Sequence, residues 1–152
     1  MADRFSRSVT ATPTAASDTL DTRPEIKNII HYAGDTLTIR VTAPASLTDT
    51  MTTWLAQIKA NRDLDVVAAT FDVTTPVISG GPAYLVLPGA VSSALVEGLP
   101  VLTVRAPDGT TRAVKQYIGE YDCQISVGGT DPIRTLVQGS IIFEQDVSRV
   151  LP

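Results

Sequence analysis

The clearest pattern in the chain is Thr36-Leu37-Thr38-Ile39-Arg40-Val41-Thr42, in which apolar and polar residues alternate. A period of two places Leu37, Ile39 and Val41 on one face of a β-strand and predicts that this face is buried. Segments 51–58 and 67–73 repeat the alternation. With two later apolar strands, they predict a core that comprises Leu37, Ile39, Val41, Trp54, Ile58, Phe71, Tyr121, Ile141 and Phe143.

Turn-forming residues interrupt the chain at short intervals. Ser79-Gly80-Gly81-Pro82 separates the first group of strands from an apolar strand further on. Ala106-Pro107-Asp108-Gly109 lies between the β-like runs 101–105 and 111–115. Proline fixes φ, aspartate bonds the backbone ahead of it, and glycine accepts a positive φ, so this segment predicts a β-hairpin.

The rest of the pattern adds one helix at most. Residues 91–97, followed by Gly98, predict one or two helical turns ended by that glycine. Segments 117–127 and 136–147 supply two more strands. Seven or eight short strands predict an all-β fold, an antiparallel β-sandwich of Ig-like or jelly-roll-like type over residues 25–149.

Composition restricts the chemistry that this domain can carry. The 152 residues include one Cys and one His, which excludes an internal disulfide and the usual zinc ligand sets, so we expect no metal and no cofactor. A net charge of −4 argues against nucleic acid as a partner. Charged residues make up 18%, below the roughly 25% of an ordinary soluble domain, which is consistent with a surface shared with other chains.

Residues 1–24 are dominated by Thr, Ser, Ala and Asp and show no periodic apolar face, so we expect an extended N-terminal arm. Arg4, Phe5 and Arg7 are candidate contacts through which this arm could bind a partner. The arm lacks the apolar run of a secretory signal, and no segment predicts a membrane span, so we expect no membrane partner. Residues 150–152 are expected to form a short C-terminal tail.

Catalytic signatures are weak. Cys123 and His31 could form a nucleophile and base, but Cys123 lies in a predicted strand and His31 follows the apolar pair Ile29-Ile30, so structural roles are favoured. Glu120 and Asp122 share one face of a strand, a spacing that any solvated strand also produces. We therefore predict no catalytic site and no small-molecule substrate.

Four aromatic residues, Trp54, Tyr84, Tyr121 and Phe143, could instead line a sugar-binding shelf. Each of them lies in a strand with apolar periodicity, where packing in the core explains it. A carbohydrate-binding or receptor-binding module is nevertheless retained as an alternative function.

Several segments resemble small β-sandwich virion proteins of tailed bacteriophages, in particular minor tail proteins and the N-terminal domains of upper baseplate proteins. The similar segments are Gly34–Val41, Thr53–Lys59, Phe71-Asp72-Val73, Tyr121-Asp122-Cys123-Gln124 and Thr135–Phe143, the last continuing to Arg149. They cover roughly residues 25–149. The chain departs from the family pattern in a hairpin-like insertion at 99–115 and in Cys123, which occupies an apolar position.

The resemblance implies a structural protein of the virion, assembled in the bacterial host cytoplasm, rather than an enzyme. It implies a minor tail or baseplate component that attaches neighbouring virion proteins, with a capsid decoration protein as an alternative. We expect a homo-oligomer, a ring or a trimer, in which residues 1–24 order on a neighbouring subunit. Pro107, Asp108 and Gly109 of the hairpin are further candidate contacts.

Overall fold

The computed structural model describes residues 6–11, 14–15, 22–42, 52–61, 63–75, 82–127 and 133–147. In chain order, the strands are β1 (Ser6–Ala11), β2 (Thr14–Ala15), β3 (Thr22–Arg23), β4 (Glu25–Ile26), β5 (Ile29–Tyr32), β6 (Thr36–Thr42), β7 (Thr52–Lys59), β8 (Ala69–Thr70), β9 (Asp72–Thr74), β10 (Pro82–Leu87), β11 (Leu102–Arg105), β12 (Thr111–Val127) and β13 (Ile133–Asp146), and a helix α1 (Gly89–Val96) lies between β10 and β11.

Most of these strands belong to two sheets, which confirms the predicted all-β, sandwich-like fold. The four-stranded sheet has the order β1-β6-β10-β9. The seven-stranded sheet has the order β4-β13-β12-β7-β8, with β5 also on β13 and β11 also on β12. Most strand pairs are antiparallel, as predicted, but the sheets are mixed, since β1 runs parallel to β6 and both β4 and β5 run parallel to β13.

The N-terminal segment differs from the expected arm. Ser6–Ala11 forms an edge strand whose six residues are all registered with β6, and Ala11 is fully buried. These ladder hydrogen bonds and the packing of Val9 and Ala11 offset the entropy of ordering a polar segment. The predicted domain boundary at residue 25 therefore does not match the sheet, whereas residues 1–5 and 150–152 lie outside the described part of the chain.

The two sheets enclose one core of buried side chains. All nine residues named from the strand pattern are buried in it. The chain passes between the sheets at Phe71, whose N–H donates to the Ala56 carbonyl at 2.9 Å while the next strand, β9, pairs with β10. The Phe71 ring meets Tyr121 edge-on, with centroids 6.3 Å apart. The strand predicted over 67–73 is thus two strands in two sheets.

The predicted hairpin and helix are both present. β11 pairs with the first four residues of β12, and α1 ends just before Gly98, whose φ is +81°. Ser92 of α1 is fully buried, where its hydroxyl accepts from the Gly34 N–H and donates to the Gly89 carbonyl, both at 3.0 Å. These bonds fix the helix against the turn between β5 and β6. Within the described residues, no helix is long and apolar enough to cross a membrane.

Candidate assembly surface

The outer face of the seven-stranded sheet carries a row of isoleucines that crosses three strands. Ile30 is registered with Ile142, and Ile142 with Ile118. Strands are about 4.8 Å apart, so the three side chains are neighbours on one face. Ile30 and Ile118 are 59% and 62% exposed, and Ile142 between them is half-buried. We call these three residues the isoleucine row.

A polar cluster borders the row on one side. Tyr32 is exposed two residues after Ile30 and is registered with Glu144, which is registered in turn with Gln116. The Glu144 carboxylate is nearly buried. It pairs with the Arg112 guanidinium at 2.6 Å and accepts from the Gln116 amide at 2.9 Å. The sheet therefore holds this carboxylate in place beside the apolar row.

Val114 is buried on the outward-facing side of β12, beside the ion pair of Arg112 and Glu144. Arg112 precedes Val114 by two residues on β12, while Gln116, registered with Glu144, follows it by two. The ion pair therefore runs diagonally from β12 to β13 past the registered pair Val114 and Asp146, and Val114 is fully buried although it lies on the outward-facing side of the strand.

The hairpin between β11 and β12 ends in an ordered turn that exposes Pro107, Asp108 and Gly109. The Asp108 carboxylate accepts from the Thr110 hydroxyl at 2.6 Å and from its backbone N–H at 2.9 Å. Both bonds favour the ionised form and lower the pKa of Asp108. Gly109 supplies the left-handed conformation, with φ of +89°. The structure thus presents these three candidate contacts on a turn with fixed hydrogen bonds.

The other predicted contacts precede or begin the first strand. Arg4 and Phe5 lie outside the described residues. Arg7 belongs to β1, where it is registered with Leu37 of β6. The backbone at Arg7 is therefore part of the sheet, and Phe5 is attached directly to the first residue of an edge strand.

A second exposed apolar segment lies between β7 and β8. Leu64, Val66 and Val67 are all exposed, and Val66 is 76% exposed. The turn is held by the Asn61 side chain, which accepts from the Asp63 N–H at 2.9 Å, and by the Asn61 carbonyl, which accepts from the Leu64 N–H at 3.0 Å. We call residues 63–67 the β7–β8 loop.

Cys123 and His31 are not brought together. His31 is registered with Phe143, which is registered with Tyr117, and Tyr117 is six residues from Cys123 along β12, a span of about 20 Å. Burial raises the pKa of the Cys123 thiol to about 12, with a further contribution from Asp122. The His31 Nε2 lies 2.8 Å from the Asp35 carbonyl oxygen. The two residues do not form a nucleophile–base pair.

Glu120 and Asp122 lie on the outer face, and the Gln124 amide donates to Asp122 at 3.4 Å. Glu120 is registered with Lys59 of β7. Among the residues that the structure describes, no three His, Cys, Asp or Glu side chains group in a way that could hold a metal ion.

The proposed aromatic shelf does not form. Trp54 is 9% exposed, Tyr121 and Phe143 are fully buried, and only Tyr84 of the four is exposed, at 39%. The Tyr121 hydroxyl donates to the Lys27 carbonyl at 2.8 Å, which uses its polar end inside the fold. Three of the four rings are thus unavailable to stack on a sugar.

Sequence reasoning missed the isoleucine row, although a signal for it exists. Ile29-Ile30 and Ile141-Ile142 are consecutive apolar pairs, and adjacent residues of a strand point to opposite faces. Each pair therefore places one isoleucine on the outer face, and apolar residues on both faces are typical of strands covered on both sides. Their alignment with Ile118 required the register of the sheet.

No protein-family model and no curated protein sequence matched the chain.

Proposed function

We propose that this protein is a structural subunit of a tailed-bacteriophage virion, a minor tail or baseplate component that works by binding neighbouring subunits. The observation that carries the proposal is the isoleucine row. The solvent face of a sheet is ordinarily polar, and contiguous exposed apolar residues mark interaction surfaces. The resemblance of residues 25–149 to virion β-sandwich proteins supplies the setting for such an interaction.

The composition fits the same role. The charged fraction of 18% is below the roughly 25% of an ordinary soluble domain. Among the described residues, the exposed large apolar side chains include Ile26, Ile30, Tyr32, Ile118, Leu64, Val66, Val67, Val101 and Leu102. In a virion, such residues are covered by neighbouring subunits. The hairpin and the β7–β8 loop offer two further projecting contacts.

Of the alternatives, a carbohydrate-binding module is disfavoured because its stacking platform requires exposed aromatic rings. Trp54 has too little exposed surface for this role. A capsid decoration protein would use the same kind of apolar surface, so only the location in the particle separates it from a tail protein.

The test is to purify particles from a host whose genome encodes the chain, separate heads from tails, and quantify the protein by mass spectrometry. We expect a fixed copy number in the tail fraction. Recovery in heads alone would replace the tail assignment by the decoration alternative, and complete absence from particles would overturn the proposal. A particle preparation from a deletion strain, complemented with the full chain, serves as the control.

A further inference from the structure

The outer face of the four-stranded sheet carries a row of exposed residues, one from each strand. Thr10 of β1 is registered with Arg40 of β6, Arg40 with Tyr84 of β10, and Tyr84 with Thr74 of β9. All four are exposed, because the residues that alternate with them on β6 and β10 are the buried ones. Adjacent strands are about 4.8 Å apart, so Arg40 and Tyr84 are direct neighbours. We call these four residues the cross-strand row.

Arg40 is a cation that has no anion beside it. Within the described residues, no carboxylate forms an ion pair with Arg40, whereas Lys27 and Arg112 each have such a partner. Asp72 lies on the same face, but it is two strands and two positions away, about 12 Å between Cα atoms. Arginine and tyrosine are enriched among the residues that contribute most to protein–protein binding. Arg40 and Tyr84 together therefore suit a partner that presents a carboxylate next to an apolar group.

The turn of the β11–β12 hairpin presents these two groups side by side. Pro107 and Asp108 are both exposed. Oδ1 of Asp108 accepts both hydrogen bonds from Thr110, which leaves Oδ2 available as an acceptor. The same bonds hold the carboxylate in one orientation and favour its ionised form. A turn that is already ordered loses little conformational entropy when it binds.

Within a single chain, the turn and the cross-strand row do not meet. β11 and β12 belong to the seven-stranded sheet, and the row lies on the four-stranded sheet. The groups that shift the pKa of Asp108 are Thr110 and its own backbone, and Arg40 is not among them. No ion pair of the described residues joins Asp108 to Arg40. Each copy therefore exposes a cation on one surface and a complementary carboxylate on another.

We propose that the hairpin turn of one copy docks on the cross-strand row of a second copy, with the Asp108 carboxylate on the Arg40 guanidinium and the Pro107 ring against Tyr84. The contact joins two different surfaces, so it is head-to-tail and builds a ring if the rotation closes. The inference rests on the proposed function and deepens it by naming a contact between copies of this chain. It predicts an oligomer in the isolated full chain and leaves the isoleucine row for another contact.

The direct test is charge reversal followed by mixing. Asp108→Arg and Arg40→Glu each bring like charges together, so each full-length variant alone should be monomeric in sedimentation velocity. In an equimolar mixture, the reversed turn of the first variant meets the reversed row of the second, and the unchanged turn of the second meets the unchanged row of the first. Every contact is then complementary, and we expect the mixture to associate. A wild-type chain that is monomeric, or a mixture that stays monomeric, would overturn the inference.

A conservative variant separates the lost charge from a disturbed turn. Asp108→Asn keeps an oxygen that can accept both bonds from Thr110, so the turn is retained while the charge is lost. We expect its self-association to weaken at least about tenfold, with an unchanged unfolding transition. The matched control is Asp65→Asn, which removes an exposed carboxylate from the β7–β8 loop and should have no effect. If Asp65→Asn dissociates the oligomer and Asp108→Asn does not, the loop occupies the row and the inference is wrong.

Salt dependence distinguishes this contact from an apolar one. Raising sodium chloride from about 0.15 M to about 1 M should weaken the wild-type oligomer, because it screens an ion pair at the rim of the contact. An oligomer that is insensitive to salt would contradict the contact between Asp108 and Arg40. Failure of these tests leaves the particle test intact, since the chain would still be found in virions through another contact. Conversely, a chain that self-associates as described but is absent from particles would overturn the proposed function alone.

Discussion

The two faces of strands β12 and β13 contain similar apolar side chains in different surroundings. On the inner face, Tyr121, Ile141 and Phe143 are fully buried against the four-stranded sheet. On the outer face, Ile118 and Ile142 have no such layer above them within the described part of the chain. Similar side chains thus pack in the core on one face and remain partly or mostly exposed on the other, so substitutions on the two faces should differ in their effect on stability.

Truncation of the inner face should have the largest effect. Phe143→Ala removes a fully buried ring that meets His31 edge-on with centroids 6.0 Å apart. We expect a loss of about 3–5 kcal/mol in the free energy of unfolding, measured by urea titration, because the lost transfer free energy and the cavity add. This loss is a large part of the stability of a typical domain.

The matched change on the outer face is Ile118→Thr. Its expected cost is below about 0.5 kcal/mol, because the residue is mostly exposed and threonine keeps the β-branched shape. Both variants are measured at the same protein concentration. Equal losses in the two variants would contradict the assignment of the two faces.

Substitution of Gly139, which is registered with Tyr121, should have the next largest effect on the free energy of unfolding. A Cβ atom on Gly139 would overlap the Lys27 carbonyl, and Asn28 lies beside it, where its side chain accepts from the Ser140 N–H. We expect Gly139→Ala to cost about 1–3 kcal/mol in thermal or urea unfolding, because the backbone of the edge segment must shift. Ser140→Ala, one residue away, is the control, and a Gly139→Ala variant as stable as this control would contradict the close approach.

Much of the inner face could be predicted from alternation, whereas the topology could not. The run Thr36–Thr42 forms β6 with the bounds that the pattern indicates. The equally clear alternation around Phe71 gave one strand in place of two, because a period of two does not specify which sheet a residue joins. β1 offered only Val9 and Ala11 as apolar signals. Its place depends on pairing with β6, which local propensity does not encode.

The isoleucine row was harder to predict, because its members come together only through the pairing of strands. Ile30 and Ile118 are 88 residues apart in the sequence, and they approach each other only through the register of β5 with β13 and of β13 with β12. The hairpin turn could be predicted from the sequence because the conformational preferences of Pro107, Asp108 and Gly109 act locally. Local chemistry therefore predicts turns, while a surface that spans several strands requires the complete sheet.

The pH dependence of stability above pH 9 should include a contribution from the buried thiol of the inner face. Burial raises the pKa of Cys123 from 9.0 to about 12 and also raises that of Tyr121. Between pH 9 and about 12 the unfolded chain has lost protons that the folded chain retains. The stabilisation by the protonated thiol is therefore fully present below pH 9. Between pH 9 and about 12, the free energy of unfolding should fall by about 1.4 kcal/mol per pH unit because of this thiol.

The check compares slopes of unfolding free energy against pH for two variants. Cys123→Ala should lose the contribution of the thiol, whereas Ile125→Ala, a truncation at an equally buried site on the same strand face, should keep it. An unchanged slope in Cys123→Ala would show that the thiol is accessible to water. Outer-face variants such as Ile118→Thr should leave the slope as it is.

The last prediction concerns the ion pair between Arg112 and Glu144 on the outer face. Arg112→Met removes the ion pair with Glu144 and leaves the hydrogen bond from the Gln116 amide to that carboxylate. We expect a loss of about 1 kcal/mol in the free energy of unfolding. The half-exposed guanidinium keeps the value low because solvent screens the ion pair. Adding Glu144→Gln to Arg112→Met removes the unpaired charge and should recover part of that loss in urea unfolding. If the double variant were no more stable than Arg112→Met, Arg112 would act by covering Val114 with its aliphatic stem rather than by neutralising Glu144.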